Sequence, residues 1–343
     1  MIAYSSIKSL HLEISTRCNA SCPLCPRNIS GYDAELGYPV HDMSLKEAQQ
    51  LFPPAFVSQL SDILINGNFG DFVTARDCVK IVKYFTDNNP NVQILISTNA
   101  GARPNIWAEL GQMSNVTIGF DIDGLADTHS MYRRNTDWNT VISNAKKFID
   151  AGGNAVWRMI KFDHNQHQIE ECKQLSKDLG FAEFNILDDG RDTGPVYNNK
   201  GDYQYKLGSD PNFENSPYPE KAIIWKEWGE VGSTPENRKK YYETIPIKNS
   251  VDCYSTRNQE IYVTATGEVY PCCWLGFYPK LDHKHSWQQD NFQLADMCKN
   301  NNALEVGLEK AVEWFSSIEA SWHKKAYSEG RLFKCDEYCG KNH

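Results

Sequence analysis

The first half of the chain alternates between short β-branched runs and longer stretches whose apolar positions recur every three or four residues. The short runs, at residues 10–15, 62–66, 92–97, 116–122, 155–160 and 183–187, predict strands. The longer ones, near residues 45–58, 73–88, 104–113, 138–151 and 166–179, predict helices between them. Asn165 and Gly180 bracket the last of these as an N-cap and a glycine stop. Six β/α units in series predict a parallel sheet with right-handed crossovers. A closed eight-unit barrel usually takes more length. The expected fold class is therefore α/β, a partial (β/α)6 TIM-like barrel over residues 1–190 that stays open.

The periodicity lapses from residue 188 to about 251, where prolines, glycines and aromatics (Tyr197, Tyr203, Tyr205, Phe213, Tyr218, Trp225, Trp228) follow no steady spacing. Residues 191–251 read either as a connection with short helices or as a lid over a substrate, since long ordered loops are often functional. Residues 252–343 predict a small α+β domain. It contains a hairpin over 259–270, turning at Thr266-Gly267, and a helix around 303–328.

Composition narrows the class. Of 343 residues, 41% are hydrophobic and 23% charged, enough for a sizeable core. The net charge of −9 does not point to nucleic acid, which needs clustered Lys and Arg; Arg238, Lys239 and Lys240 form one short basic run. The N-terminus lacks the basic and apolar regions of a secretory signal. No apolar run reaches the ~18 residues of a membrane span. A cytoplasmic protein is expected. Eleven cysteines in a reducing compartment then argue for metal or cluster ligation rather than disulfides.

Three of them stand as Cys18, Cys22 and Cys25, spaced C-x3-C-x2-C directly after the first strand. Such a loop can wrap a 4Fe-4S cluster and leave one iron open to a chelating ligand. Zinc would ask for a fourth ligand, and none is near in sequence. The spacing, its place after strand one and the following β/α series resemble the radical S-adenosyl-L-methionine (SAM) superfamily. That resemblance implies a 4Fe-4S cluster binding SAM. The reduced cluster cleaves SAM to a 5′-deoxyadenosyl radical, which abstracts a substrate hydrogen. It also implies a reductant such as a flavodoxin or ferredoxin.

Residue by residue, the resemblance extends along the strand ends. Leu24 stands where the family often has an aromatic residue against adenine. Gly67, Asn68, Gly70 and Asp71 occupy the glycine-rich turn that meets the amino end of SAM, with Asp71 and Phe72 in place of the usual Glu and Pro. Thr98 and Asn99 lie in a turn similar to "TNG". Asp121 takes the position of a Ser that contacts ribose, and Arg133, with Arg134 as rival, that of an Arg that binds the SAM carboxylate. The alternative for both arginines is a surface helix start. Arg158 on strand five is a candidate to point into the barrel. Leu187 matches an adenine-packing position, with an ordinary core role as the alternative.

A second set follows. Cys253, thirteen residues, Gly267, four residues and Cys272 resemble the opening of the SPASM/twitch auxiliary domain, and Cys335 and Cys339 lie near the end. The resemblance implies one auxiliary 4Fe-4S cluster on Cys253, Cys272, Cys335 and Cys339; a zinc site on the same thiols is the alternative. Cys273 is a rival to Cys272, and Cys298 is unassigned. Cys78 and Cys172 sit on helical patterns as ordinary buried residues. His283 and His285 read as a solvated tract before a metal site.

The leading function is a radical SAM oxidoreductase that oxidises or cross-links a peptide or protein side chain. A dehydrogenase, epimerase or methyltransferase acting on a small molecule is the alternative, with Cys298 the candidate hydrogen donor for epimerisation. A non-enzyme with zinc knots would explain the cysteines but not the β/α series. With seventeen residues before Cys18, no N-terminal leader-binding domain is expected.

Overall fold

The computed structural model describes residues 2–25, 27–28, 30–32, 39–103, 105–187, 194–208, 246–277, 294, 297–298 and 300–342. Phe213, Tyr218, Trp225, Trp228, Arg238, Lys239, Lys240, His283 and His285 lie outside them.

The six expected strands form, as β1 (Ser9–Leu12), β2 (Asp62–Ile65), β3 (Gln93–Thr98), β4 (Val116–Asp121), β5 (Asn154–Ile160) and β6 (Glu183–Leu187). They pair in parallel and in sequence order. The sheet is open rather than a closed barrel, and it has eight strands. The hairpin of β10 (Glu260–Val263) and β11 (Val269–Tyr270) extends it: β10 lies parallel to β1, Ser9 opposite Glu260, and β11 antiparallel to β10.

Alternation along the strands gives the sheet two unlike faces. Leu10, Leu12, Ile63, Ile65, Ile94, Ile96, Ile118, Phe120 and Trp157 are buried in one core cluster with the apolar stripes of the helices. The opposite face lines a lumen and is mixed, carrying Leu64 and Leu95 beside polar side chains. At the start of the strands Ser9, Asp62, Gln93, Thr117 and Glu260 line a cavity of about 440 Å³. Higher up, Arg158 extends over Gly119 and donates to Ser97.

Among the described residues, seven helices, two of them single turns, connect β1 to β6. α1 (Leu45–Leu51) begins on a capping box of Ser44 and Glu47. The expected helix over 45–58 breaks at Pro53-Pro54, and Pro54–Val57 forms a separate turn, α2. α3 (Cys78–Asn88) buries Cys78, Ile81, Val82 and Phe85. α4 (Trp107–Gly111) is short, and after the turn α5 (His129–Tyr132) comes α6 (Trp138–Asp150), whose first turn is capped by Asp137. α7 (Ile169–Leu179) stops at Gly180, φ +87°, as its sequence indicates. Asn165 does not cap it. Its side chain accepts from Phe162 N–H at 2.8 Å and donates to Ile160 O at 2.9 Å, tying down the end of β5. The helix expected over 303–328 is broken at Gly307, giving Ala303–Val306, Leu308–Ala311 and Phe315–Ser321.

In the connecting region, β7 (Gly194–Tyr197) and β8 (Tyr203–Leu207) make an antiparallel hairpin. Near the end of the chain, helix Phe333–Cys339 is followed by β12 (Gly340–Lys341), which pairs with β9 (Ser250–Val251). A buried ion pair fixes this corner. Arg331 donates to Asp336 through Nε at 2.6 Å and Nη2 at 2.7 Å, and Tyr327 adds its hydroxyl at 3.0 Å. Side-chain exposure is 4% for Arg331 and 2% for Asp336.

Removing one partner of such a pair leaves an uncompensated buried charge. Asp336→Asn is expected to destabilise the C-terminal corner by about 3–5 kcal/mol. Hydrogen exchange of residues 246–258 and 331–341 measures this directly; protection equal to wild type would sink it.

Candidate active site

The cysteine loop leaves the sheet at the carboxyl end of β1, the side on which open α/β sheets place ligands. Backbone and side-chain bonds hold it on three sides. Thr16 exchanges hydrogen bonds with His41, N to O at 2.9 Å and Oγ1 from N at 2.8 Å. Arg27 donates to Thr16 O at 2.9 Å and Phe69 O at 2.7 Å. Ser21 N donates to Arg134 O at 2.9 Å, and Asn28 Nδ2 to Cys22 O at 3.2 Å.

The three thiols gather with Ala20, Leu24, Tyr132, Ile160, Phe162, Leu187, Val196, Tyr205 and Leu207 in a small cluster apart from the main core. Leu24 and Leu187 both pack against this cluster, to which the β7–β8 hairpin contributes Val196 and Leu207. Burial pushes the Cys18 thiol up, with Asp71 and the other two cysteines adding to it. Burial likewise pushes Cys22 up to about 12, against the opposing pull of Arg133. The Cys18 sulfur accepts from Ala20 N–H at 3.4 Å and Asn99 Nδ2 at 3.6 Å. Among the described residues, no three Cys, His, Asp or Glu side chains meet the spacing of a single bound metal ion.

The turn after β2 owes its glycines to the protein's own chain. A Cβ on Gly70 would stand 1.8 Å from Ser15 O, and one on Gly67 2.5 Å from a carboxylate oxygen of Glu13. Glu13 is the reason for this closeness. Its Oε1 accepts from Phe69 N at 2.7 Å and Gly70 N at 3.0 Å, and its Oε2 from the Tyr262 hydroxyl at 2.8 Å. Asn68 Nδ2 crosses to Cys273 O at 2.9 Å.

Asp71 works inward. Its Oδ1 accepts from Thr98 Oγ1 at 2.6 Å and its Oδ2 from Asn99 N at 2.8 Å and Asn99 Nδ2 at 2.7 Å. The carboxylate therefore joins the turn after β2 to the turn after β3, and burial raises its pKa.

Arg133 and Arg134 divide. Arg134 turns to the Tyr197 carbonyl of the hairpin. Arg133 is half-buried, with Nε at 2.6 Å from Asp123 Oδ2 and Nη2 at 3.6 Å from Asp121 Oδ2. Asp121 Oδ1 lies 3.4 Å from Arg158 Nε, yet it is buried without a hydrogen bond. Asp123, fully buried, also accepts from Ile160 N at 2.6 Å. His129 accepts from Asp123 N at Nδ1 and meets Thr136 Oγ1 at Nε2, which fixes an Nε2–H tautomer.

The second cysteine set converges around the β9–β12 pair. Cys253 precedes helix Tyr254–Asn258, Cys272 follows β11, and Cys335 and Cys339 are one turn apart on helix Phe333–Cys339. Cys253 and Cys339 share a hydrogen bond that lowers the pKa of Cys253 and raises that of Cys339. Burial raises Cys272, with Cys273, Cys335 and Cys253 adding to it, and burial also raises Cys273, to about 11, with Glu260 and Glu13 adding. Cys298 donates to Leu294 O at 2.8 Å, and Cys78 and Cys172 are fully buried.

Sequence reading missed Glu13, His11 and Asp123. His11 bonds Asn66 O at 3.0 Å through Nε2 and packs edge-on to Tyr262. Their signal was present: polar residues at lumen-facing positions beside the strand ends.

No family model matches the sequence, and no curated protein matches it. Solved structures share the fold. Streptococcus suis SuiB aligns over 96% of this chain and 68% of its own, with 14% identity and a TM-score of 0.52. Native anSMEcpe with bound AdoMet aligns over 92% of this chain and 84% of its own, with 13% identity and a TM-score of 0.53. Its complex with AdoMet and the Cp18Cys peptide aligns over 96% and 89%, at 14% identity and TM-score 0.51.

Two outcomes follow. Gly70→Ala forces Cβ into the Ser15 carbonyl and is expected to cost about 1–3 kcal/mol in urea unfolding; an unchanged midpoint would refute that role. Burial lowers the pKa of His11 to about 4 and, with Arg133, that of His129 to about 3, so both rings stay neutral when folded. Unfolding lets them bind protons below about pH 6.5, so stability falls as pH drops through that window toward 4. Between pH 6.5 and 5.5, His129→Gln should reduce the slope of unfolding free energy by on the order of 1 kcal/mol per pH unit.

Proposed function

We propose that this protein is a radical SAM enzyme, with Cys18, Cys22 and Cys25 holding a 4Fe-4S cluster and SAM bound beside it. The observation that carries the reading is a three-thiol loop at the carboxyl end of β1, with Leu24 and Leu187 packed against the same cluster and the charge of Arg133 acting on Cys22. The likeness in fold to AdoMet-bound anSMEcpe supports it.

The residues suit the group. The donors of the loop are all thiols; burial, and then the neighbouring thiols, raise Cys18 and Cys22, so these two ionise only beside positive charge. Asp121 Oδ1, buried without a hydrogen bond, can accept a ribose hydroxyl. Arg133 presents a guanidinium whose orientation is fixed by Asp123, suited to a carboxylate. Leu24 and Leu187 offer apolar contact to a purine, and the Gly67–Gly70 turn offers backbone. The cluster, when bound, supplies the electron that opens the SAM sulfonium bond and yields the 5′-deoxyadenosyl radical. The protein's share is to exclude water, to orient SAM and to present a substrate carbon from the lumen, where Arg158 and Ser97 stand.

Cys253, Cys272, Cys335 and Cys339 would hold the auxiliary 4Fe-4S cluster of a SPASM/twitch-like domain. The substrate class best supported is a peptide or protein side chain, since a structure of the same fold holds the Cp18Cys peptide. Oxidation of that side chain, with the auxiliary cluster accepting the second electron, is the reaction proposed.

Anaerobic reconstitution tests this. Wild type should carry about eight irons and form 5′-deoxyadenosine from SAM and dithionite. The Cys18/Cys22/Cys25→Ala variant should keep about four irons and form none. Bound zinc without 5′-deoxyadenosine would overturn the proposal.

A further inference from the structure

The cavity of about 440 Å³ at the amino ends of the strands lies at the end of the lumen opposite the thiol loop, and the site described above does not use it. Its charge is one-sided. Asp62 and Glu260 line it, and no lysine, arginine or histidine does among the described residues. The two carboxylates flank Ser9, which is in register with Asp62 on β2 and with Glu260 on β10. The Ser9 hydroxyl donates to Asp62 Oδ1 at 2.5 Å. Burial, and then the Asp62 charge, push Glu260 up to about 7, and no cation among the described residues offsets them. Two such carboxylates on one wall favour a positive ligand.

The rest of the lining is apolar where an alkyl chain would run. Leu64 and Leu95 are register partners, and Leu95 is 40% exposed. Tyr254, 54% exposed on the helix that follows Cys253, adds a ring. One step up the same face stands a cation. Leu95 and Thr117 are paired at the cavity, and two residues on, Ser97 and Gly119 are paired where Arg158 crosses the sheet. That step is about 7 Å. Arg158 donates to Ser97 through Nη1, and its Nε lies 3.4 Å from Asp121 Oδ1. A guanidinium has five N–H donors, so others serve a carbonyl.

We propose that the cavity binds the ammonium of a lysine-like substrate side chain, with Arg158 holding the carbonyl of the same residue. A lysine side chain covers the step between them, and its first carbons then stand toward the thiol loop. That the occupant is a substrate rests on the reading of this protein as a peptide-modifying radical enzyme.

The test is calorimetric binding of N-acetyl-lysine N-methylamide, and of its uncharged norleucine counterpart, to the reconstituted full-length protein with SAM and no reductant. The lysine probe should bind about tenfold more tightly than the norleucine probe. Glu260→Gln, and Asp62→Asn, which keeps an acceptor for Ser9, should each remove most of that preference. Arg158→Gln should weaken both probes alike. Circular dichroism checks that each variant is folded, and if Glu260→Gln is not, Asp62→Asn decides. Equal affinity for the two probes in wild type, no binding of the lysine probe, or a preference kept in Asp62→Asn would overturn the proposal. Wild-type affinities in Arg158→Gln would overturn the carbonyl contact. Formation of 5′-deoxyadenosine with dithionite is measured alongside. Lysine-selective binding without it sinks the radical reading and leaves the site standing; its formation without lysine selectivity sinks the site alone.

Discussion

The carboxylate of Glu13, 1% exposed, is the point on which the site hangs. A buried charge of this kind persists only when its oxygens are paired, and hydrogen bonds to it are worth about 1.5–3 kcal/mol each. Glu13 draws in the amides of Phe69 and Gly70 and the hydroxyl of Tyr262. That demand brings the turn after β2 against the chain of β1, where only glycine fits at position 70. The turn so placed aims Asp71 at Thr98 and Asn99. Asn99 then reaches the Cys18 sulfur. A single carboxylate thus orders three successive strand ends around the first thiol.

The same device recurs elsewhere in the molecule. Asp123 and Arg133 join the ends of β4 and β5 to the turn that follows them, and Arg331 and Asp336 fasten the last helix to the residues around β9. Each is a buried pair with further hydrogen bonds to backbone, the condition under which such pairs hold a unique geometry. Against this background, the unbonded Asp121 oxygen is an exception in a region where other carboxylate oxygens are in use. Preorganised walls with acceptors left unbonded, here Asp121 Oδ1 and Asn28 Oδ1, are the arrangement a polar ligand needs.

The strand and helix succession was legible because a 3.6 and a 2-residue period survive in any local window. So were the thiol triad and the glycines of the turn, though the glycines serve Glu13 and Ser15 before any ligand. What escaped the sequence depends on distant partners. Nothing near Glu260 states that it lies beside Ser9, and nothing near Glu13 names Phe69 or Tyr262. Asn165 carries the right residue type for a cap, but its amide is claimed by the end of β5. The breaks at Pro53 and Gly307 were readable from residue type alone, and periodicity outweighed them.

The pairing of β10 with β1 also bears on synthesis. Five strands of the sheet can assemble on β1 as the chain emerges, each beside its predecessor and each adding mainly local contacts. The other edge of β1 must wait for residues 260–263, through the whole intervening stretch of translation. An apolar strand with one unpaired edge is a template for pairing with other chains. The nascent protein is therefore most open to misassociation after its β/α series has formed and before its last quarter arrives.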